Sequence, residues 1–106
     1  MSALSRRSGR KILNLSGTGG ELVAAVDNKV ITVIALYGEL GGTSPTLTLK
    51  SGGSGGTALS GTLESSPIAL QHAECGWAVT VEGENLFAVL AGTTPTFKGI
   101  LIYTQE

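Results

Sequence analysis

The sequence is poor in the residues that build metal centres and disulfide bonds. It contains one cysteine and one histidine among 106 residues. A single cysteine excludes a disulfide within the chain. A structural zinc site needs about four ligands, so His72 and Cys75 cannot complete one within a single chain. We therefore predict no metal and no cofactor.

Charged residues and long apolar runs are also scarce. Only 14% of the residues are charged, compared with roughly 25% in an average protein. The longest apolar run, Val30–Tyr37, is interrupted by Thr32 and is far shorter than the roughly 20 residues of a membrane-spanning helix. The basic N-terminal segment is not followed by the apolar stretch of a secretory signal. The sequence thus predicts no membrane span and no signal peptide.

Groups suited to catalysis are few. Glu82 and Glu84 flank a turn glycine, whereas the two carboxylates of a glycosidase face each other across a cleft. The glycine-rich segment 16–20 lacks the lysine of a phosphate-binding loop, and no helical pattern follows it. Cys75 has no partner beyond its neighbours His72 and Glu74. We predict that the protein is not an enzyme and assign no catalytic residue.

Sixteen glycines and many β-branched residues are present instead. Short segments rich in valine, isoleucine, leucine and threonine alternate with glycine, proline and polar turns, which is typical of β-strands. The length is that of one domain. We predict an all-β, single-domain, jelly-roll-like β-sandwich of about eight strands. The predicted strand segments are Lys11–Leu15, Glu21–Val26, Lys29–Tyr37, Thr46–Lys50, Thr57–Leu63, Ile68–Gln71, Trp77–Glu82 with Leu86–Ala91, and Phe97–Tyr103.

Turn signals lie between several of these segments. Asp27-Asn28 and Glu82–Glu84 each separate two apolar runs and predict hairpin turns. Segment 42–47, Gly-Thr-Ser-Pro-Thr-Leu, is echoed fifty residues later by Gly-Thr-Thr-Pro-Thr-Phe at 92–97. This weak repeat predicts two equivalent corner turns, with each proline outside the central ladder. The glycine- and serine-rich segment 50–56 predicts a loop.

The apolar residues follow two patterns within the predicted strands. They alternate with polar residues in Thr46–Lys50 and in Trp77–Glu82, which predicts one wet face for each strand. They occupy both parities in Lys29–Tyr37 and Phe97–Tyr103, so these strands are covered on both sides or meet another subunit. The candidate subunit interface consists of Ile31, Val33, Tyr37, Leu101 and Tyr103.

Positive charge is concentrated at the N-terminus. Arg6, Arg7, Arg10 and Lys11 precede the first acidic residue, Glu21, and the remaining chain has three lysines against eight carboxylates. We predict a flexible basic arm over residues 1–10 and a folded domain over 11–106. Two interpretations stay open, a solvated terminus and an arm in which these four basic residues dock onto a partner. Four charges without interleaved aromatic residues predict at most weak, salt-sensitive nucleic-acid binding.

The turn and strand motifs between Val30 and Gln105 resemble those of small virion proteins of tailed bacteriophages, of the capsid decoration (cement) type. The motifs are Gly-Gly-Thr-Ser-Pro-Thr-Leu-Thr-Leu at 41–49, Gly-Thr-Ala-Leu-Ser-Gly at 56–61, Gly76-Trp77, Gly83-Glu84, Gly-Thr-Thr-Pro-Thr at 92–96 and Gly-Ile-Leu-Ile-Tyr at 99–103. The resemblance implies a homotrimeric jelly-roll that binds the major capsid protein, or another virion protein, on the outside of the particle. It also implies synthesis in the host cytoplasm and no catalytic residue.

Two alternatives are kept. A tail, neck or head-fibre component belongs to the same structural class. A carbohydrate-binding module would use Trp77 as a stacking platform, but it needs at least two exposed aromatic residues on one face. The five aromatic residues are scattered along the chain and do not predict such a platform. Trp77 is predicted to anchor the core.

Overall fold

A computed structural model describes residues 8–64, 67–71 and 78–106. This part of the chain forms seven antiparallel strands and contains no helix. The predicted all-β class is therefore confirmed. The strands are β1 (Ser8–Ser16), β2 (Gly19–Val23), β3 (Ile31–Ser51), β4 (Thr57–Ala58), β5 (Ile68–Gln71), β6 (Ala78–Val79) and β7 (Leu86–Gln105).

Two long strands, β3 and β7, form the centre of a single sheet. Their ladder runs from the pair Ile31–Gln105 to the pair Ser51–Leu86. Strand β1 pairs with one half of β7 and β2 with the other half. The opposite edge of β3 is lined by β6, β5 and β4. Each half of the sheet is consequently about four strands wide.

The sheet folds back on itself near its middle. A straight strand with the 21 residues of β3 would be about 70 Å long, yet the molecule extends only 40 Å along its longest axis. The two ends of β3 meet the same short segment: Thr80 N donates to Ile31 O at 2.9 Å, and Val81 N donates to Ser51 Oγ at 2.9 Å. The two halves of the sheet therefore face each other across the core.

The bend is made by the repeated segments 42–47 and 92–97. Gly42 and Gly92 have φ of 102° and 121°, and Ser44 and Thr94 have φ of 50° and 47°. The two segments lie opposite each other, with Thr43 paired to Thr93. The prediction of two equivalent corner turns is confirmed. The pairing register of β3 with β7 shifts between Gly41 and Thr43 and again between Thr43 and Thr46, so the ladder continues through the corner with extra residues left unpaired.

That continuity explains why fewer strands form than were predicted. Segments 29–37 and 46–50 are parts of β3, and segments 86–91 and 97–103 are parts of β7. Turns form at Asp27-Asn28 and at Glu82-Gly83, where Lys29 N donates to Val26 O and Glu84 N donates to Val81 O, both at 3.1 Å. The prediction that they close hairpins is wrong. The Asp27-Asn28 turn leads from β2, which pairs with β7, into β3. The Glu82-Gly83 turn leads from β6, which pairs with β3, into β7. Neither turn joins two strands that are paired through it.

The core lies between the two halves of the sheet. In β3, Leu47 and Leu49 are 1% and 0% exposed, so the predicted alternation in this segment is confirmed. A bulge between Val33 and Ala35 interrupts the alternation, and both Ile34 and Ala35 are buried. This strand is covered on both sides at that point. The remaining fully buried side chains include Phe97, Leu22, Ile31, Leu36, Leu86, Leu101 and Val33.

Buried hydroxyl groups close the open end of the folded sheet. The Ser51 hydroxyl is 2.7 Å from Glu84 Oε1, to which it donates, while it accepts from Val81 N. Thr80 Oγ1 accepts from Ile31 N at 2.9 Å. The pattern in Trp77–Glu82 predicts that Val79 and Val81 lie on the dry face, and this is wrong: Ala78 and Thr80 are buried, while Val79 and Val81 are about half exposed. The inward Thr80 hydroxyl accepts the Ile31 N–H, a bond that a valine side chain could not make.

Candidate interaction surface

Three residues of the predicted subunit interface belong to the core of the chain itself. Ile31, Val33 and Leu101 are 0% exposed, so their side chains are not accessible to another subunit. Tyr103 is half-buried and packs against the core. Its ring covers Gly9, where an added β-carbon would lie 2.5 Å from the Tyr103 Cζ atom. Tyr37 alone among the five is substantially exposed, at 40%.

The predicted basic arm is partly inside the sheet. Arg10 and Lys11 belong to β1 and pair with Ile102 and Leu101 of β7. Lys11 Nζ donates to the Leu22 carbonyl oxygen at 2.7 Å, which ties β1 to β2. Arg10 is exposed and remains available for docking. Arg6 and Arg7 lie outside the described residues.

An exposed apolar row crosses three neighbouring strands on the outside of the sheet. Ile12 of β1 pairs with Ile100 of β7, and Ile100 pairs with Tyr37 of β3. Their side chains are 73%, 38% and 40% exposed. Directly opposite residues on neighbouring strands have Cβ atoms about 4.5–5.5 Å apart, so the three side chains form one surface. We call this surface the outer row.

Polar and charged residues border the outer row. Lys98 lies two residues before Ile100 in β7 and therefore on the same face of the sheet; it pairs with both Asn14 and Glu39. Glu39 and Lys98 line a cleft of about 180 Å³ together with Leu40, Gly41 and Thr96. On the other side, Arg10 pairs with Ile102. An apolar centre with a polar rim is the composition expected of a protein-binding surface.

The other predicted candidates divide between structural roles and the undescribed segments. Glu84 accepts from Ser51, and Glu21 Oε2 accepts from Asn85 Nδ2 at 2.8 Å. Within the described ranges, no group of three histidine, cysteine or acidic residues is placed to hold a metal ion. His72, Cys75 and Trp77 lie outside those ranges. The same ranges include no helix long and apolar enough to cross a membrane.

The part of the chain that the structure describes is thus all-β, with an antiparallel sheet that folds back on itself and an exposed apolar row on its outer face. No protein family model, curated protein or solved structure matches the chain.

Proposed function

We propose that the protein is a structural component of a tailed-bacteriophage virion, a capsid decoration (cement) protein that binds the outer capsid surface as a homotrimer. The outer row is the observation that carries this proposal. It exposes two isoleucines and a tyrosine side by side in a chain whose charged content is low. The turn and strand motifs that resemble those of small virion proteins, whose members are jelly-roll sandwiches, support the same assignment.

In the proposed trimer, Ile100 and Tyr37 form the contact between protomers. Burying their exposed apolar area contributes about 25 cal/mol for each Å² removed from water. A closed three-fold assembly joins several identical docking sites in one rigid body. Each site then needs only a weak contact with the shell, because the second and third contacts form at high effective concentration. Such a trimer would bridge neighbouring shell subunits and resist the outward pressure of packaged DNA.

Docking to the shell is assigned to the N-terminal basic residues. Arg10 and Ile12 are two positions apart in β1 and therefore project from the same face of the sheet. Arg6 and Arg7 precede the strand directly. Lys11 is left out of this docking group because its ammonium already donates to Leu22 O. An acidic surface on the shell is the partner that these arginines would attract.

Replacing Ile100 by lysine tests the trimer. The substitution places a charge in the middle of the outer row, so we expect the Ile100→Lys variant to lose the trimer that the parent protein forms. Val79→Lys is the matched control, because Val79 is also an exposed strand residue, at 49%, but lies outside the outer row. Native mass spectrometry measures the masses. A monomeric parent protein, or a trimeric Ile100→Lys variant, would contradict the proposed contact.

Removing residues 1–7 tests the docking arm. We expect the truncated protein to stay folded, because β1 begins at Ser8, and to bind undecorated shells more weakly. Its affinity should also depend less on salt, since screened attraction by Arg6 and Arg7 is lost. An Arg6→Gln, Arg7→Gln double variant of full length separates charge from length. Equal affinity of all three proteins at every ionic strength would make the arm a solvated terminus.

A further inference from the structure

Strand β1 forms an open edge of the described sheet. All nine of its residues pair with β7, from Ser8–Thr104 to Ser16–Thr96, without a bulge. Among the described strands, β7 is the only one that pairs with β1. An edge strand presents backbone N–H and C=O groups that can pair with another chain.

This edge has few of the features that prevent strand pairing. It contains no proline and no acidic residue, and its two basic residues are adjacent at 10 and 11. Lys11 is held by Leu22 O, which leaves Arg10 as the remaining charge. Ile12, at the centre of β1, is 73% exposed, the highest value among the large apolar side chains described. Burial of this side chain would accompany pairing at the edge.

We propose that β1 pairs with β1 of a second copy of the chain, antiparallel, about a two-fold axis through Ile12. This register places Ile12 opposite Ile12 of the second copy and Arg10 opposite Asn14. All nine residues overlap, and no two like charges are directly opposed. The two outer rows become one continuous apolar strip.

Neighbouring registers are less favourable. An axis through Lys11 places two lysines opposite each other, and an axis through Arg10 does the same with two arginines, which is destabilising. An axis through Leu13 or Asn14 shortens the overlap and places Ile12 opposite a polar residue. Side-chain charge and the position of Ile12 thus select the register centred on Ile12.

This inference builds on the proposed function, because the second copy is assigned to a neighbouring trimer. A two-fold contact uses the same surface on both partners and closes on itself. It would link two trimers into a hexamer and, on a shell, would join trimers into a network. The contact within the trimer uses Ile100 and Tyr37, so the two contacts can be removed separately.

Native mass spectrometry over a range of protein concentrations distinguishes them. We expect the parent protein and the Val79→Lys control to form trimers and, at high concentration, hexamers. Ile12→Lys should keep the trimer and lose the hexamer, because two ammonium groups would face each other across the axis. An unchanged hexamer in Ile12→Lys would overturn the edge contact. Loss of the trimer in this variant would also overturn it, by assigning Ile12 to the trimer contact.

Cross-linking gives a second, independent measurement. Directly opposed residues of antiparallel strands have Cα atoms about 4.5–5.5 Å apart, which is within the range of a disulfide. In a Cys75→Ser background, Ile12→Cys should therefore join two chains upon oxidation, whereas Val79→Cys should not. Trimers without hexamers or cross-links would overturn the edge contact and leave the proposed trimer intact. Cross-linked dimers without any trimer would support the edge contact and contradict the trimer.

Discussion

The Val33→Asp variant is expected to lose several kcal/mol of its free energy of unfolding. Val33 is 0% exposed and lies between Tyr103 and Ala78 on the two neighbouring strands. An ionised carboxylate buried there without a partner is costly. Domains of this kind are stable by only about 5–15 kcal/mol, so this loss is a large fraction of the total stability.

Val79→Asp is the matched control for this prediction. It introduces the same substitution on β6, which pairs with β3 beside Val33, but at a side chain that is 49% exposed. Surface substitutions usually change stability by less than about 0.5 kcal/mol. Urea denaturation followed by circular dichroism measures both variants, and Val33→Ala provides a folded comparison with a smaller loss. Equal stability of Val33→Asp and Val79→Asp would show that Val33 is not in the core.

Replacing Gly42 by alanine is expected to cause the second large loss of stability. Gly42 has φ of 102°, and a β-carbon there would lie 2.5 Å from the Thr94 carbonyl oxygen. The backbone conformation alone costs a non-glycine residue about 1–3 kcal/mol. The overlap with a backbone atom adds to this cost, because no side-chain rotation can relieve it. Gly92 has the equivalent position in the second corner turn, where the β-carbon would lie 2.6 Å from Ser44 O.

Two other glycines separate the causes of this loss. Gly53 has φ of 96° but open space around its Cβ position, and Gly55 has open space without a positive φ. The expected order of destabilisation is Gly42→Ala, then Gly53→Ala, then Gly55→Ala. Thermal unfolding of the three variants gives this order directly. A Gly42→Ala variant as stable as Gly53→Ala would contradict the close contact between Gly42 and the Thr94 carbonyl oxygen.

Local features of the fold were predictable from the sequence. Glycine, proline and the strand periodicity are local signals, and they located the corner turns, the turn at Asp27-Asn28 and most strand positions. The continuity of β3 and β7 was not predictable, because it depends on pairing between residues that are far apart in the sequence, from Ile31–Gln105 to Ser51–Leu86. For the same reason, a turn signal could not indicate which strands its two arms would join.

The interaction surface was less predictable than the fold. In segments that are apolar at both parities, periodicity does not distinguish the inward face from the outward face, so Ile31, Val33 and Leu101 were assigned to a surface when they belong to the core. Ile12 and Ile100 become neighbours only once the register between β1 and β7 is known. Lys11 shares its parity with Leu13 and Leu15, in the predicted strand Lys11–Leu15, but this pattern did not indicate that its ammonium donates to Leu22 O.

Imaging of shells by cryo-electron microscopy tests the proposed function most directly. Shells that lack this protein would be incubated with the purified parent protein and with the Ile100→Lys variant. The proposal predicts three-fold symmetric density on the outer shell surface with the parent protein and bare shells with the variant. Bare shells with the parent protein, or density confined to the neck, tail or fibres, would contradict a role in capsid decoration.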